Sequence, residues 1–326
     1  MLDKVMSPNE HASGPYNEAE QVVGLFAVLL SSALGLGASF ALNKADRIGC
    51  SLEGVVSLVV LFKGIGCGVI LTTATIHLIN EAGEYFEKAK WDTYEGWTYI
   101  FALTGIFLSA AADLFVRRQG VRNIVPVAKL PDLRRTGHGH SHGIESGETL
   151  RLLQSEEDEE ENGRPQSSSV FSVVLLEINL LSHSVLIGVD LGLQDSTAWL
   201  ALLIAICFHQ FFEGFALAEV IQDAKISTSK MLTMCAAFTL TTPIGVALGI
   251  GAHSTHNEEN ASVALLIGIF NSFCGGILVY LGMISILLPW IVDSHGLQRA
   301  PILYPILAFL GVTIGVTALA VIGIWA

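Results

Sequence analysis

Charge is what this chain has least of. Only 14% of its 326 residues are Asp, Glu, Lys or Arg, against about 25% in soluble domains. Hydrophobic residues make up 52%, and mean hydropathy is +0.58. This shortage excludes an ordinary soluble core and indicates a polytopic membrane protein. A disulfide framework is also missing. The five cysteines are an odd number, and Cys67, Cys207, Cys235 and Cys274 fall in expected helices, where they read as small apolar filler. Residues 1–20 lack the apolar core of a signal peptide, so none is expected to be cleaved. The net charge of −13 gives no support for nucleic-acid binding. Much of it comes from the single run Glu156-Glu157-Asp158-Glu159-Glu160-Glu161, which reads as a solvated spacer.

What is present is a series of long apolar runs. Helices are expected at about 21–42, 55–79, 96–116, 170–193, 197–221, 231–252, 262–288 and 302–325, the sixth broken or kinked near Thr241-Thr242-Pro243. The fold class is an all-α membrane protein with eight transmembrane helices. Residues 1–20 form an extracellular tail, 21–116 carry helices 1–3, 117–169 form a cytosolic, disordered His-rich and acidic loop, and 170–326 carry helices 4–8. With both termini outside, Lys4, Lys88 and Lys90 are the outer loop cations. Every other loop Lys and Arg falls inside, which sets the orientation by the positive-inside rule. A 3+2+3 arrangement follows, with helices 1–3 and 6–8 as an inverted repeat around the helix 4–5 hairpin. That is transporter architecture. Lys63 lies within helix 2, where it either snorkels or meets an acidic partner.

The hairpin holds the chemistry. His183 lies 12 residues before Asp195 and His209 lies 14 after it. At 1.5 Å per residue, both are ~18–21 Å from one face of a core ~30 Å thick. Helices joined by so short a turn are expected to pack as antiparallel neighbours, which matches the two depths. Glu213 is i+4 from His209 on one helix face, and Asn179 is i−4 from His183. Two imidazoles and a carboxylate at the midplane suit zinc or another borderline divalent metal. The competing reading is that a buried His simply hydrogen-bonds neighbouring helices. Toward the outer side, His77, Glu81 and Asp190 suggest an acidic, imidazole-bearing entrance. Toward the cytosol, Glu177, Glu219 and Asp113 either pass metal onward or pair with interfacial arginines. In the long loop, His138-Gly139-His140-Ser141-His142-Gly143 reads as a flexible metal chelator.

His183-Ser184-Val185-Leu186-Ile187-Gly188 and His209-Gln210-Phe211-Phe212-Glu213-Gly214 resemble the signatures of the ZIP (Zrt/Irt-like) family of divalent-metal transporters. The His77–Glu81 helix end, Thr-Thr-Pro-Ile-Gly in helix 6 and the histidine loop share the resemblance, which is nearest to the plant and protist branch. The resemblance implies uptake of Zn²⁺ or Fe²⁺ into the cytosol, from outside or from an organelle, by a homodimer; Mn²⁺ and Cd²⁺ are also in range, no resident cofactor is expected, and the plasma membrane is the expected location. It implies His183, His209 and Glu213 as the primary site, and Ser184 and Gln210 at the positions of a second metal. Neither of those two is charged. Two alternatives remain. One is an efflux carrier, although no soluble metal-binding domain ends this chain. The other is an intramembrane metalloenzyme with Glu213 as base or ligand, which the lack of His-Glu-x-x-His disfavours.

Overall fold

The computed structural model describes residues 16–47, 53–91, 94, 96–124, 166–253, 261–292 and 294–324. Helix α1 is Glu18–Arg47 and α2 is Glu53–Thr72; α2 continues through a π-helical segment, Thr73–Asn80 (π1), into α3, Glu81–Ala89. Helix α4 is Trp97–Ile124, α5 is Gln166–Leu193, α6 is Ser196–Asp223 and α7 is Thr228–Ala252. Helix α8, Ala261–Tyr280, passes through a second π segment, Leu281–Leu287 (π2), into the short α9, Leu288–Ile291. Helices α10, His295–Arg299, and α11, Leu303–Ile322, complete the described chain. Among the described residues there is no strand, and 8 helical runs are long and apolar enough to cross a membrane.

The composition explains this outcome. In hydrocarbon every backbone N–H and C=O must find a partner within the protein, so uninterrupted apolar runs become helices. Their outer faces are greasy: Phe107, Leu114 and Phe115 of α4 and Ile306, Phe309 and Leu310 of α11 are exposed. Such a surface suits acyl chains. Helix α7 runs on through the buried Pro243, so of the expected break or kink the break is excluded. Within it, Thr239 and Thr241 turn their hydroxyls back onto the carbonyls of Cys235 and Ala237.

Small residues decide which helices meet. Helix α5 packs chiefly on α7, and α2 chiefly on α11. Gly188 and Gly192 of α5 face Gly245 and Gly249 of α7. A methyl group at any of the four would collide with a facing backbone carbonyl: Thr242, Val246, Val185 or Val189. Backbones this close gain dispersion where no hydrophobic drive operates between helices. Helix α6 packs instead on α1 and α2, while its contact with α5 is much sparser. The short Gln194-Asp195 turn therefore does not make its two helices principal neighbours. Each is drawn outward to its own partner, and the space between them receives their polar side chains.

The bundle has two distinct ends. At the turn end, Tyr16 donates to the Gly192 carbonyl (3.0 Å) and stacks on His253, and the Gln21 amide donates to the Gln194 carbonyl (2.8 Å). The opposite end, from which the 125–165 segment departs, carries Arg117 and Asp223. We refer to it as the loop end.

Candidate metal centre

Three elements supply the centre: α5, α6 and π1. His183 of α5 and His209 of α6 are 3% and 4% exposed, and Glu213 is fully buried. The His183 and His209 ring centroids are 6.1 Å apart. The π1 segment runs antiparallel to α6 and meets it in two rungs. Thr73 donates its hydroxyl to Glu213 Oε1 (2.9 Å), and four residues on, the His77 ring centroid is 6.4 Å from that of His209. His77 Nδ1 is 3.0 Å from Glu81 Oε1, which fixes the ring by a carboxylate behind it. This arrangement leaves the other ring nitrogen directed elsewhere, as in carboxylate–histidine–metal chains.

The unsatisfied atoms are concentrated here. His77 Nε2, His183 Nε2, His209 Nε2 and Glu213 Oε2 are all buried with no hydrogen-bond partner among the described residues. Each orphaned group costs about 1–3 kcal/mol, and native structures hold few of them. Four such atoms fall on the three elements that meet here, and their donor types fit a divalent metal. Zinc bonds imidazole nitrogen at about 2.0–2.1 Å, so two imidazoles on one zinc have centroids roughly 5–6 Å apart. The observed spacings of 6.1 and 6.4 Å are slightly wider. Accordingly, among the described residues no three His, Cys, Asp or Glu side chains already stand at ligand spacing.

The other residues singled out from sequence are placed as follows. Ser184 and Gln210 are fully buried, and Ser184 Oγ and both Gln210 amide atoms lack partners among the described residues. Asn179 is buried and donates its amide to the Cys274 carbonyl (2.8 Å), tying α5 to α8. Glu81 has a 43% exposed side chain, and Asp190 is exposed in the last turn of α5. Glu81, Glu84 and Asp190 all act electrostatically on Tyr85, so the turn end above His77 is acidic. At the loop end, Asp113 receives Arg117 (3.0 Å) and the Tyr280 hydroxyl (3.0 Å). Glu177 is buried on α5. His138, His140 and His142 lie outside the described residues.

Sequence reasoning missed Thr73, and it treated His77 as an entrance group without its place beside His209. The available signal was the His77–Glu81 pair at i+4. The rest depends on the π turn, whose i→i+5 bonding shifts the face that follows it. A cavity of about 400 Å³ opens at the loop end, lined by Val173 and Leu176 of α5, Val220 and Asp223 of α6, and Leu281 and Ser285 of π2. Leu180, Leu217 and Leu278 belong to the buried apolar cluster between this cavity and the centre.

A family model described as ZIP Zinc transporter matches residues 19–323. Zinc-regulated transporter 1 of Candida albicans is 30% identical over 93% of this chain and 60% of its own length. The chain thus spans less than two thirds of that relative. Zinc transporter 9 of Oryza sativa subsp. japonica is 28% identical, covering 94% of this chain and 89% of its own. Fe(2+) transport protein 1 of Arabidopsis thaliana is 26% identical, covering 86% and 79%.

Proposed function

The chain belongs to the ZIP family of zinc transporters, and from that premise and the geometry above we propose that it carries Zn²⁺ or Fe²⁺ into the cytosol through a centre formed by His183, His209 and Glu213. It is a multi-pass membrane protein and a metal transporter, not an enzyme. The observation that supports the site assignment is that His77 Nε2, His183 Nε2, His209 Nε2 and Glu213 Oε2, from three elements, are buried without hydrogen-bond partners among the described residues, with the His209 ring centroid 6.1 and 6.4 Å from those of His183 and His77. Nitrogen and oxygen donors in this ratio suit borderline divalent ions. His77 joins the set as a third imidazole, and Thr73 orients the Glu213 carboxylate.

The proposed path starts at the turn end. A hydrated cation is drawn by Glu81, Glu84 and Asp190 and exchanges water for the imidazoles. It leaves through the loop-end cavity once the leucine layer parts. The excess of Lys and Arg on the loop side supports a cytosolic loop end, with both termini on the opposite side of the membrane. Helix packing supports an inverted repeat. Exchanging spans 1 with 6, 2 with 7, 3 with 8 and 4 with 5 converts each principal contact into another: α1 on α6 becomes α7 on α5, and α2 on α11 becomes α8 on α4. The π segments, one in span 2 and one in span 7, exchange as well. His138, His140 and His142 would take up the released ion. Mn²⁺ and Cd²⁺ remain candidate cargoes of the same donor set.

The test is uptake of radioactive zinc or iron by cells carrying the natural chain, H183A or H209A. The account expects uptake by the natural chain and loss of most of it in both variants. Undiminished flux in the variants, or outward flux, would overturn the site or the direction.

A further inference from the structure

Lys63 is a fixed cation inside a cation carrier. Its side chain, 13% exposed, reaches from α2 to α6, where Nζ is 3.1 Å from Asp223 Oδ2 and 4.0 Å from Glu219 Oε2. The Trp290 ring centroid is 5.5 Å from Nζ on another side. Glu219 is held in place: Ser39 donates to its Oε1 at 2.7 Å and Asn43 at 2.6 Å. Gln222 in turn donates to Ser39 (2.9 Å). Lys63 and Asp223 both line the loop-end cavity. Glu219 and Asp223 follow Glu213 on α6 by 6 and 10 residues, or ~9 and ~15 Å along the axis. A metal leaving the centre toward the loop end therefore arrives beside two carboxylates, one of them buried and preoriented. Carboxylate oxygens are ligands that divalent ions take readily.

We propose that Lys63 is a release-determining residue, a tethered ammonium that occupies the Glu219–Asp223 carboxylates so that the transported metal does not lodge at the loop-end mouth. The inference rests on the reading that metal leaves by this end. A covalently tethered cation is always present at the carboxylates, while a hydrated divalent ion must displace it. The net local charge is still −1, enough to admit a cation and too little to hold one. Lysine also suits the role better than a neutral donor, since removing it leaves an uncompensated buried charge.

The test is zinc bound per chain, read by elemental analysis after equilibrium dialysis of the purified full chain. K63Q should hold a further zinc ion over the natural chain. K63R should hold no more than the natural chain, and K63Q/E219Q/D223N should lose the gain. K63Q should also melt higher in zinc, by more than the natural chain does, because metal bound to the folded form stabilises it. If K63Q folds only when zinc is present, metal has replaced the ammonium and the proposal stands. If K63Q gains no zinc, or fails to fold with and without zinc while the triple variant folds, the proposal is overturned. The series is repeated in H183A/H209A. Failure of the central site appears there as zinc binding unchanged by those two substitutions, whereas the Lys63 effect is scored as a difference within one background.

Discussion

At the scale of single residues, the centre depends on groups that aim the ligands as much as on the ligands themselves. Thr73 is the clearest case, since its hydroxyl holds one oxygen of Glu213 and leaves the other unpartnered. Loss of such an outer partner costs about 10–100-fold in metal affinity. T73V should therefore raise the zinc concentration for half-maximal uptake by about 10-fold or more, with little change in protein yield. Protons and metal compete for the same imidazole nitrogens. Zinc occupancy of the purified chain should fall on acidification. Dialysis at fixed zinc measures this, and occupancy that rises with acid would contradict an imidazole site. His183, His209 and Glu213 were legible in the sequence because polar groups in an apolar run stand out against their surroundings. Thr73 was not, because a threonine in such a run has ordinary uses, and Thr72 and Thr75 indeed bond back to their own helix.

Elements are joined here by glycine seams, and two spans are interrupted by π segments. The α5–α7 seam has no space for side chains. G245L should therefore part the helices, at a cost of about 1–3 kcal/mol or more. The detergent-solubilised protein should melt measurably lower. Gly37 and Gly251 have open space where a side chain would go, so G37A and G251A serve as controls expected to melt within error of the natural chain. All eight spans were visible as apolar runs, since the bilayer permits little else. The neighbours were not. A short turn suggested that α5 and α6 embrace, but turn length limits only how far apart two helices can be. Backbone approach at Gly188 and Gly192 fixes which partner wins. The π segments were equally invisible, because one extra residue in a turn changes hydrogen bonding without altering composition. Pro243 allowed either a break or a kink, and α7 passes through it without a break.

The bundle's polar content is sorted by depth: an acidic turn end, imidazoles and a carboxylate at the centre, a leucine layer, and a cavity at the loop end carrying Lys63 and Asp223. Its charge asymmetry was readable in the loops, whereas the cavity depends on side-chain contacts among α5, α6 and π2. The central claim is that metal is held by His183, His209 and Glu213 within the bundle. X-ray absorption of the zinc-loaded full chain tests it most directly, using H138A/H140A/H142A as background so that the loop histidines do not contribute. The account predicts a nitrogen and oxygen shell at about 2.0–2.1 Å with imidazole scattering, and its loss when H183A and H209A are added. A sulfur shell at about 2.3 Å, or a spectrum unmoved by those two substitutions, would contradict it.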